Sequence, residues 1–354
     1  MKNNLPAVYI IVLNWNGSND TIECIKSIRK NNYPNYTLVI VDNGSEKENL
    51  DTLKSWCKSN YSEFVLYSRE EAESGGVDHY EEILMKKSSK EKLVFIENNE
   101  NLGFAAGNNV ALKYVLKKNV HYAMLLNNDT VIEENSVNIL VNFLISQNDY
   151  VAVTPQIRYF EPNDKIWNCG GKIMWYGNRK YYFAGDHISK VPESGYKRIT
   201  FITGCALFFK PQITGILSEN FFYGEEDLEF SFRQKAAKRK MACCYSSIIY
   251  HKISASFKKV NASILGSLYI YYLSRLIDNK YYSSTFMFVI KTIMNLTYAI
   301  LLMIFRYKLR FKQVFIMITT ILKELNRIDK ITKDYCLRSL KQEFNHPIKW
   351  TSKF

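Results

Sequence analysis

Tyr122-Ala123-Met124-Leu125-Leu126-Asn127-Asn128-Asp129-Thr130 is the stretch that decides how this chain folds. Five apolar residues have the length of a strand buried on both faces, and polar residues begin where it stops. In α/β sheets, ligands gather at the carboxyl ends of parallel strands, so Asp129 stands where chemistry is expected. Working outward, Val8–Leu13 is a second apolar run, ending in Asn14-Trp15-Asn16-Gly17. Thr21–Lys30 follows with helical spacing of Ile22, Ile25 and Ile28. Thr37–Val41 ends in Asp42-Asn43-Gly44-Ser45 before a helix near Glu48–Lys58. Leu93–Ile96 is a further strand, and Asn101-Leu102-Gly103-Phe104 turns into a helix through Asn109–Leu116. Alternation at this spacing predicts a doubly wound, mostly parallel sheet. Residues 61–91, polar and holding Gly75 and Gly76, read as a surface insertion remote from the chemistry.

Beyond Val151–Pro155 the pattern turns β-rich. Phe201–Phe209 is expected as a strand broken by Gly204, a helix as running from Glu225 to about Lys240, and Met241–Tyr250 as a strand ending at His251. The last third is helical. Ser283–Phe305 is apolar apart from Lys291, Thr292, Asn295 and Thr297, and Arg306, Lys308, Arg310 and Lys312 follow it. It is long enough to span a bilayer. Lys291 and Asn295, one turn apart on one face, favour instead an amphipathic helix lying in the membrane plane. A packed helical extension is the third option.

The net charge of +13 is lopsided: residues 252–354 carry 18 Lys and Arg against 5 Asp and Glu. A balanced globular part with a basic tail predicts an anionic membrane surface as the tail's partner. Nucleic acid is not expected, because the basic residues interleave with aliphatics instead of lining a polar, aromatic groove. The seven cysteines form no Cys-x-x-Cys pair, which predicts buried free thiols in a reducing compartment rather than disulfides or zinc. Ala7–Leu13 is too short for a secretory leader and reads as the first strand.

The candidate residues each have a bland alternative. Asp42 caps a turn or accepts from a nucleoside; Asn14 and Asn16 share that ambiguity, and gain weight because neighbouring strands end at one edge. Gly103 and Gly107, with Asn108 and Asn109, mark a tight turn or a helix start that approaches an anion. Asp129 either caps a helix or holds Mg²⁺ or Mn²⁺, since one carboxylate suffices when a diphosphate supplies the other oxygens. Glu226 and Asp227 open a helix; Glu229 and Arg233 are spaced to pair with each other, which leaves Asp227 as the candidate general base. His251, followed by Lys252, is either a satisfied polar residue or a further metal ligand. No Gly-x-Gly-x-x-Gly follows the first strand and no Gly-x-x-x-x-Gly-Lys-Ser/Thr occurs, which counts against dinucleotide dehydrogenases and P-loop enzymes.

Val12–Gly17, Val39–Ser45, Glu100–Asn109, Leu125–Thr130, Thr203-Gly204-Cys205, Phe221–Arg233 and His251, in this order, resemble the inverting family-2 glycosyltransferases, particularly their rhamnosyltransferase-like branch. The resemblance spans residues 7–257. It implies an α/β GT-A fold (Rossmann-like, mostly parallel sheet) over 1–257; charge and amphipathicity add the expectation of a helical, basic, membrane-associating extension over 258–354. It implies Asp42 near the nucleobase; with the strand ends and the helix start read above, Asn14, Asn16, Asn43, Gly103, Asn108 and Asn127 are expected around the nucleotide-sugar. Asn127 and Asp129 match the ends of the family's Asp-x-Asp, with Asn127 a departure that leaves Asp129 as the main carboxylate on Mg²⁺ or Mn²⁺. Asp227 matches the catalytic base, with Glu226 beside it, and His251 matches a metal-binding position. The Gln-x-x-Arg-Trp signature of processive synthases is absent, which implies transfer of single sugars.

The expected enzyme moves one sugar from a nucleotide-diphosphate donor, dTDP-rhamnose or a UDP-hexose, to a saccharide or lipid-linked saccharide acceptor in cell-surface polysaccharide synthesis. It is expected in the cytoplasm, peripheral on the inner face of the plasma membrane. The helix start near Gly103 and Lys252 are expected to add electrostatic help at the diphosphate. Two rivals are a sugar-1-phosphate nucleotidyltransferase, whose glycine-rich, Arg-containing loop is missing from Asn14–Asn19, and a non-catalytic sugar-nucleotide-binding protein, which has no use for Asp227.

Overall fold

The computed structural model describes residues 5–253 and 263–341. The first half is built of βα units: β1 (Val8–Asn14), α1 (Ser18–Lys30), β2 (Tyr36–Asp42), α2 (Lys47–Asn60), β3 (Val65–Ser68), α3 (Arg69–Ser74), α4 (Asp78–Met85), β4 (Leu93–Glu97), α5 (Phe104–Lys117) and β5 (Tyr122–Asn127). The second half is richer in strands: β6 (Thr130–Ile132), α6 (Ser136–Ser146), β7 (Tyr150–Tyr159), β8 (Ile166–Asn168), β9 (Gly171–Ile173), β10 (Arg179–Tyr181), β11 (Tyr196–Ile199), β12 (Ala206–Phe209), α7 (Pro211–Thr214), α8 (Glu226–Ala236) and β13 (Lys240–His251). The helices α9 (Ile264–Tyr281), α10 (Thr285–Leu301), α11 (Phe311–Leu325) and α12 (Lys333–Leu340) complete the described chain.

One sheet runs in the order β11-β13-β7-β12-β5-β1-β2-β4-β3, with β6 on β13 and β8 on β7. The β5-β1-β2-β4-β3 half is parallel throughout. Both faces of β1 are covered. Val8, Ile10 and Val12 pack with Ile25 and Ile28 of α1 and Leu140 of α6, while Tyr9 and Ile11 pack with Val110, Ala111 and Tyr114 of α5. The period of two in a strand sends alternate residues to opposite layers, which is why this run is apolar without interruption. The expected α/β GT-A architecture with a helical C-terminal region is the one found.

Register places the site. Asn14 lies opposite Asp42, and Leu13 opposite Asn127, so three strand ends meet at one sheet edge. Antiparallel β12 begins beside the end of β5, with Ala206 opposite Leu126, and the Asn127 amide donates to Cys205 O at 2.9 Å. The hairpin arm β6 returns to β13 and sets Thr130 against His251.

Four expectations need correction. Residues 61–91 are more than a surface insertion: β3 extends the sheet at its edge, and Tyr67, Ala72 and Leu84 enter the core. The signal is small: Val65 and Tyr67 are the alternately buried residues of a four-residue strand inside a polar segment. The strand expected over Phe201–Phe209 forms only from Ala206, because Thr203-Gly204-Cys205 turns at the site. The helix expected to reach Lys240 stops at Ala236. Lys291 and Asn295 do share a face of α10, but that face is turned inward: Lys291 donates to Ser283 Oγ at 2.7 Å and Asn295 to Tyr176 O at 2.9 Å. The apolar residues Phe286, Val289, Ile293, Leu301 and Phe305 are left on the outside.

The four C-terminal helices have their own apolar cluster, including Leu273, Leu276, Met303, Met317 and Ile321, which Phe221 joins from the segment before α8. Backbone bonds reinforce the junction, from Phe222 N to Ile331 O at 3.0 Å and from Ile331 N to Asn220 O at 2.7 Å. Side-chain caps start three of these helices: Ser263 on α9, Ser284 on α10 and Thr332 on α12. The boundary expected between 257 and 258 lies outside the described residues.

Candidate functional site

At the sheet edge, Asn14 and Asp42 are fully or almost fully buried and joined by a 2.8 Å bond from Asn14 Nδ2 to Asp42 Oδ1. Asp42 Oδ2 accepts from the Ser45 amide at 3.0 Å, so the aspartate caps its own turn. The Asn16 amide donates to Ser45 Oγ at 2.9 Å, and Asn16 Oδ1 accepts from the Glu46 amide at 2.7 Å. Asn43 holds the neighbouring turn, donating to Gly103 O at 3.1 Å and accepting from Asn98 and the Leu102 amide. Asn108 donates to Phe104 O within α5 at 2.9 Å. Asn14, Asn16, Asp42, Asn43 and Gly103 are thus one connected scaffold. Gly103 has φ +84°, and a Cβ there would lie 2.3 Å from Phe222 O. The close approach at this helix start is made by the segment leading to α8, which lies over it.

Asp129 follows directly on the end of β5, past the half-buried Asn127. Its Oδ1 stands 3.1 Å from His251 Nε2, and both residues are 7% exposed. Trp167 meets the imidazole edge-on, with ring centroids 4.6 Å apart. Burial works against a charged imidazole, yet Cys205 and the Asp129 carboxylate carry His251 up to about 10. One carboxylate and one imidazole side by side, once a cation displaces the imidazolium proton, are hard and borderline donors of the kind that hold divalent cations. Among the described residues no cluster of three or more such side chains occurs. Lys252, expected near the diphosphate, is instead held by Asp20 at 2.9 Å and by Glu23 on α1.

The second acidic centre is the start of α8. Glu225 takes a left-handed conformation, φ 66°, and Glu226 and Asp227 open the helix. Arg179, on the β9–β10 hairpin, places Nη1 3.3 Å from Glu225 Oε1 and 3.4 Å from Asp227 Oδ1. Arg275 of α9 forks onto Glu225, Nε to Oε2 at 2.7 Å and Nη2 to Oε1 at 2.9 Å. Burial raises Asp227 above its ordinary range; Arg179 opposes the rise, Glu225 adds to it, and the Gly204 and Leu228 amides oppose it. Burial, then the Asp227 charge, pushes Glu226 to about 8. Burial also acts on Glu225, but Arg275 and Arg179 together hold it below the usual carboxylate range. The expected pair of Glu229 and Arg233 is present at 3.2 Å.

The Thr203-Gly204-Cys205 turn joins the two centres. A Cβ on Gly204 would sit 3.8 Å from Asp227 Cβ, and the Cys205 thiol lies within electrostatic reach of His251, Asp129 and Asp227. Asp129, His251 and Asp227 are therefore all neighbours of this one turn. Arg179 and Arg275 were not anticipated from the sequence. Their only signal was three consecutive acids, Glu225-Glu226-Asp227, which cannot be buried together without cations.

A sequence search of curated proteins finds no match. Among solved structures, the chain is similar to residues 1–349 of S. aureus TarS, at TM-score 0.52 and 10% identity, over 95% of this chain and 82% of that one. It is similar also to the mannosyltransferase PcManGT from Pyrobaculum calidifontis in complex with GDP-Man and Mn²⁺, at TM-score 0.52 and 11% identity, over 96% and 87%. A structure of GalNAc-T7 with UDP, GalNAc and Mn²⁺ is matched at TM-score 0.49 and 14% identity over 71% of this chain, which spans only 44% of that one. The family model described as glycosyl transferase family 2 matches residues 9–78 and 73–211. With more than half its length under that model, the chain belongs to glycosyltransferase family 2.

Proposed function

We propose that this glycosyltransferase is an inverting enzyme that moves one sugar from a nucleotide-diphosphate donor to a saccharide acceptor carried on a lipid. The observation that supports the reading is the proximity of the Asp129–His251 pair and of Asp227 to the same 203–205 turn. The pair fits a divalent cation whose other positions are filled by donor phosphates. The Mn²⁺ bound with GDP-Man in the PcManGT structure supports that reading. Such a cation would offset negative charge on a departing diphosphate.

Asp227 accepts the proton of the acceptor hydroxyl as its oxygen attacks the anomeric carbon and the bond to the diphosphate breaks. Arg179 orients this carboxylate and favours its ionised form, while burial makes it a better base than an exposed aspartate. One displacement inverts the anomeric centre. The Asn14–Asp42–Ser45 scaffold fixes the sheet edge where the nucleoside would rest.

The membrane reading rests on the exposed side of α10 and α11. Phe286, Val289, Ile293, Leu301 and Phe305, then Phe311 and Phe315, face outward, with Arg306, Lys308, Arg310 and Lys312 exposed between the two rows. The most apolar stretch within Thr285–Arg306 has mean hydropathy 1.9 and is 33% buried. Apolar rows beside a basic turn suit an anionic lipid surface, on the cytoplasmic face where a lipid-linked acceptor would be presented. A donor of the dTDP-rhamnose or UDP-hexose class is proposed from the resemblance to the rhamnosyltransferase-like branch.

Thermal-shift screening of dTDP-rhamnose, UDP-glucose, UDP-galactose and UDP-N-acetylglucosamine with Mn²⁺ or Mg²⁺ identifies the donor. Proton NMR of the product then reads the anomer. Inversion is expected; a retained anomer would contradict the single displacement.

A further inference from the structure

Glu225 poses a problem of charge. It is 5% exposed and two residues from Asp227, yet both carboxylates lean on the same Nη1 of Arg179. One cation cannot hold two buried anions equally well. A second cation comes from outside the sheet. Arg275, 1% exposed on α9, takes both oxygens of Glu225 in a bidentate fork. The same guanidinium donates to Asn178 Oδ1, the residue before Arg179, and stacks on the Tyr271 ring at 4.6 Å. Arg275 thus touches the chain immediately ahead of Arg179 and almost immediately ahead of Asp227.

We infer that Arg275 is a positioning residue for the transfer reaction: by carrying the charge of Glu225 and fixing Asn178, it leaves Arg179 to hold Asp227. The C-terminal helices then form part of the machinery of the base, and are more than a docking appendage. This rests on the reading of Asp227 as the base. The charged and titratable groups around Asp227 are Arg179, Glu225 and Glu226, with Cys205, Tyr181 and the buried Asp278 of α9 at longer range.

Without Arg275, Arg179 is drawn to Glu225 and Asp227 loses its counter-charge. A base works deprotonated, so its acidic limb moves to higher pH. Full-length wild type, Arg275→Met, Arg275→Lys and the double variant Glu225→Gln/Arg275→Met are compared in two ways. The first is the pH profile of transfer with Mn²⁺ and whichever of dTDP-rhamnose or UDP-glucose the wild type turns over. Arg275→Met is expected to shift the acidic limb up by about one pH unit, close to a tenfold loss on that limb. Arg275→Lys, a point charge without the fork, should fall between. The double variant, which removes both charges, should return to the wild-type limb.

The second measurement needs no substrate: thermal unfolding from pH 5 to 9. The deficit of Arg275→Met should shrink as pH falls, because the unpaired folded-state carboxylates take up protons more readily than unfolded ones. That trend should vanish in the double variant. A mere tether between helix and sheet would give equal, pH-independent deficits in both variants and an unmoved limb, which overturns the inference. If Arg275→Met does not fold, Arg275→Lys against the double variant makes the same comparison. If the wild type turns over neither donor while the stability trend holds, the donor and base reading is at fault and the sharing of charge stands.

Discussion

His251 Nε2 and Asp129 Oδ1 lie 3.1 Å apart although the two residues are far apart in the sequence. The pairing follows from register: β6 leaves Asp129 and runs antiparallel to β13, so Thr130 faces His251. A carboxylate on a strand end is fixed by the sheet, and an imidazole on the last sheet residue is fixed with it. The pair is preorganised before any ligand arrives, which limits the ordering cost of binding.

Replacing either residue should weaken the metal more than it weakens the fold. Asp129→Ala and His251→Ala are each expected to lower Mn²⁺ affinity at least about tenfold, about 1.4 kcal/mol. Electron paramagnetic resonance titration of Mn²⁺ with UDP present checks this without turnover. Unchanged affinity in both variants would place the metal elsewhere.

Arg179 should govern the pH response of the base. Its cation, 3.4 Å from Asp227, favours the carboxylate form, so Arg179→Met raises the Asp227 value further. As the proposed base, Asp227 would have to be ionised to act, so the acidic limb of kcat/KM should move to higher pH by about one unit. A profile that overlays wild type would remove Arg179 from this role.

Gly103→Ala combines a left-handed φ of +84° with a Cβ set 2.3 Å from Phe222 O. The expected cost is about 1–3 kcal/mol, seen as a lower Tm. Since Phe222 leads into α8, transfer should fall as well at temperatures where the variant is folded. A Tm equal to wild type would show that the 221–224 segment moves aside freely.

The sheet was legible because apolar runs of strand length alternated with helical spacing, and Asn14, Asp42, Asn127 and Asp129 all stood at strand ends. Residues 61–91 were misread because only Val65, Tyr67 and their short edge strand carry the signal, inside a polar segment. The inward face of α10 was also misread. Lys291 and Asn295 mark a polar stripe, and periodicity alone does not tell whether protein or water satisfies it; Ser283 and Tyr176 O do so here. Arg179 and Arg275 were hidden for a different reason. A long-range ion pair leaves no local pattern, and Arg275 lies 50 residues from Glu225 in the sequence.

The outward face of α10 and α11 should govern membrane binding. Phe286, Phe305, Phe311 and Phe315, each exposed, changed together to Ser, should reduce co-sedimentation with phosphatidylglycerol vesicles at least about tenfold. Removal of residues 283–354 should abolish it, while transfer to a soluble acceptor survives in the four-residue variant. Undiminished binding in either form would place the lipid contact elsewhere.

The proposed role of Asp227 as the base is tested most directly by Asp227→Asn. Isothermal titration with the donor and Mn²⁺ should give a dissociation constant within about threefold of wild type, while transfer falls by about 10²–10⁴-fold. Transfer at the wild-type rate would take the base role from Asp227 and contradict the account.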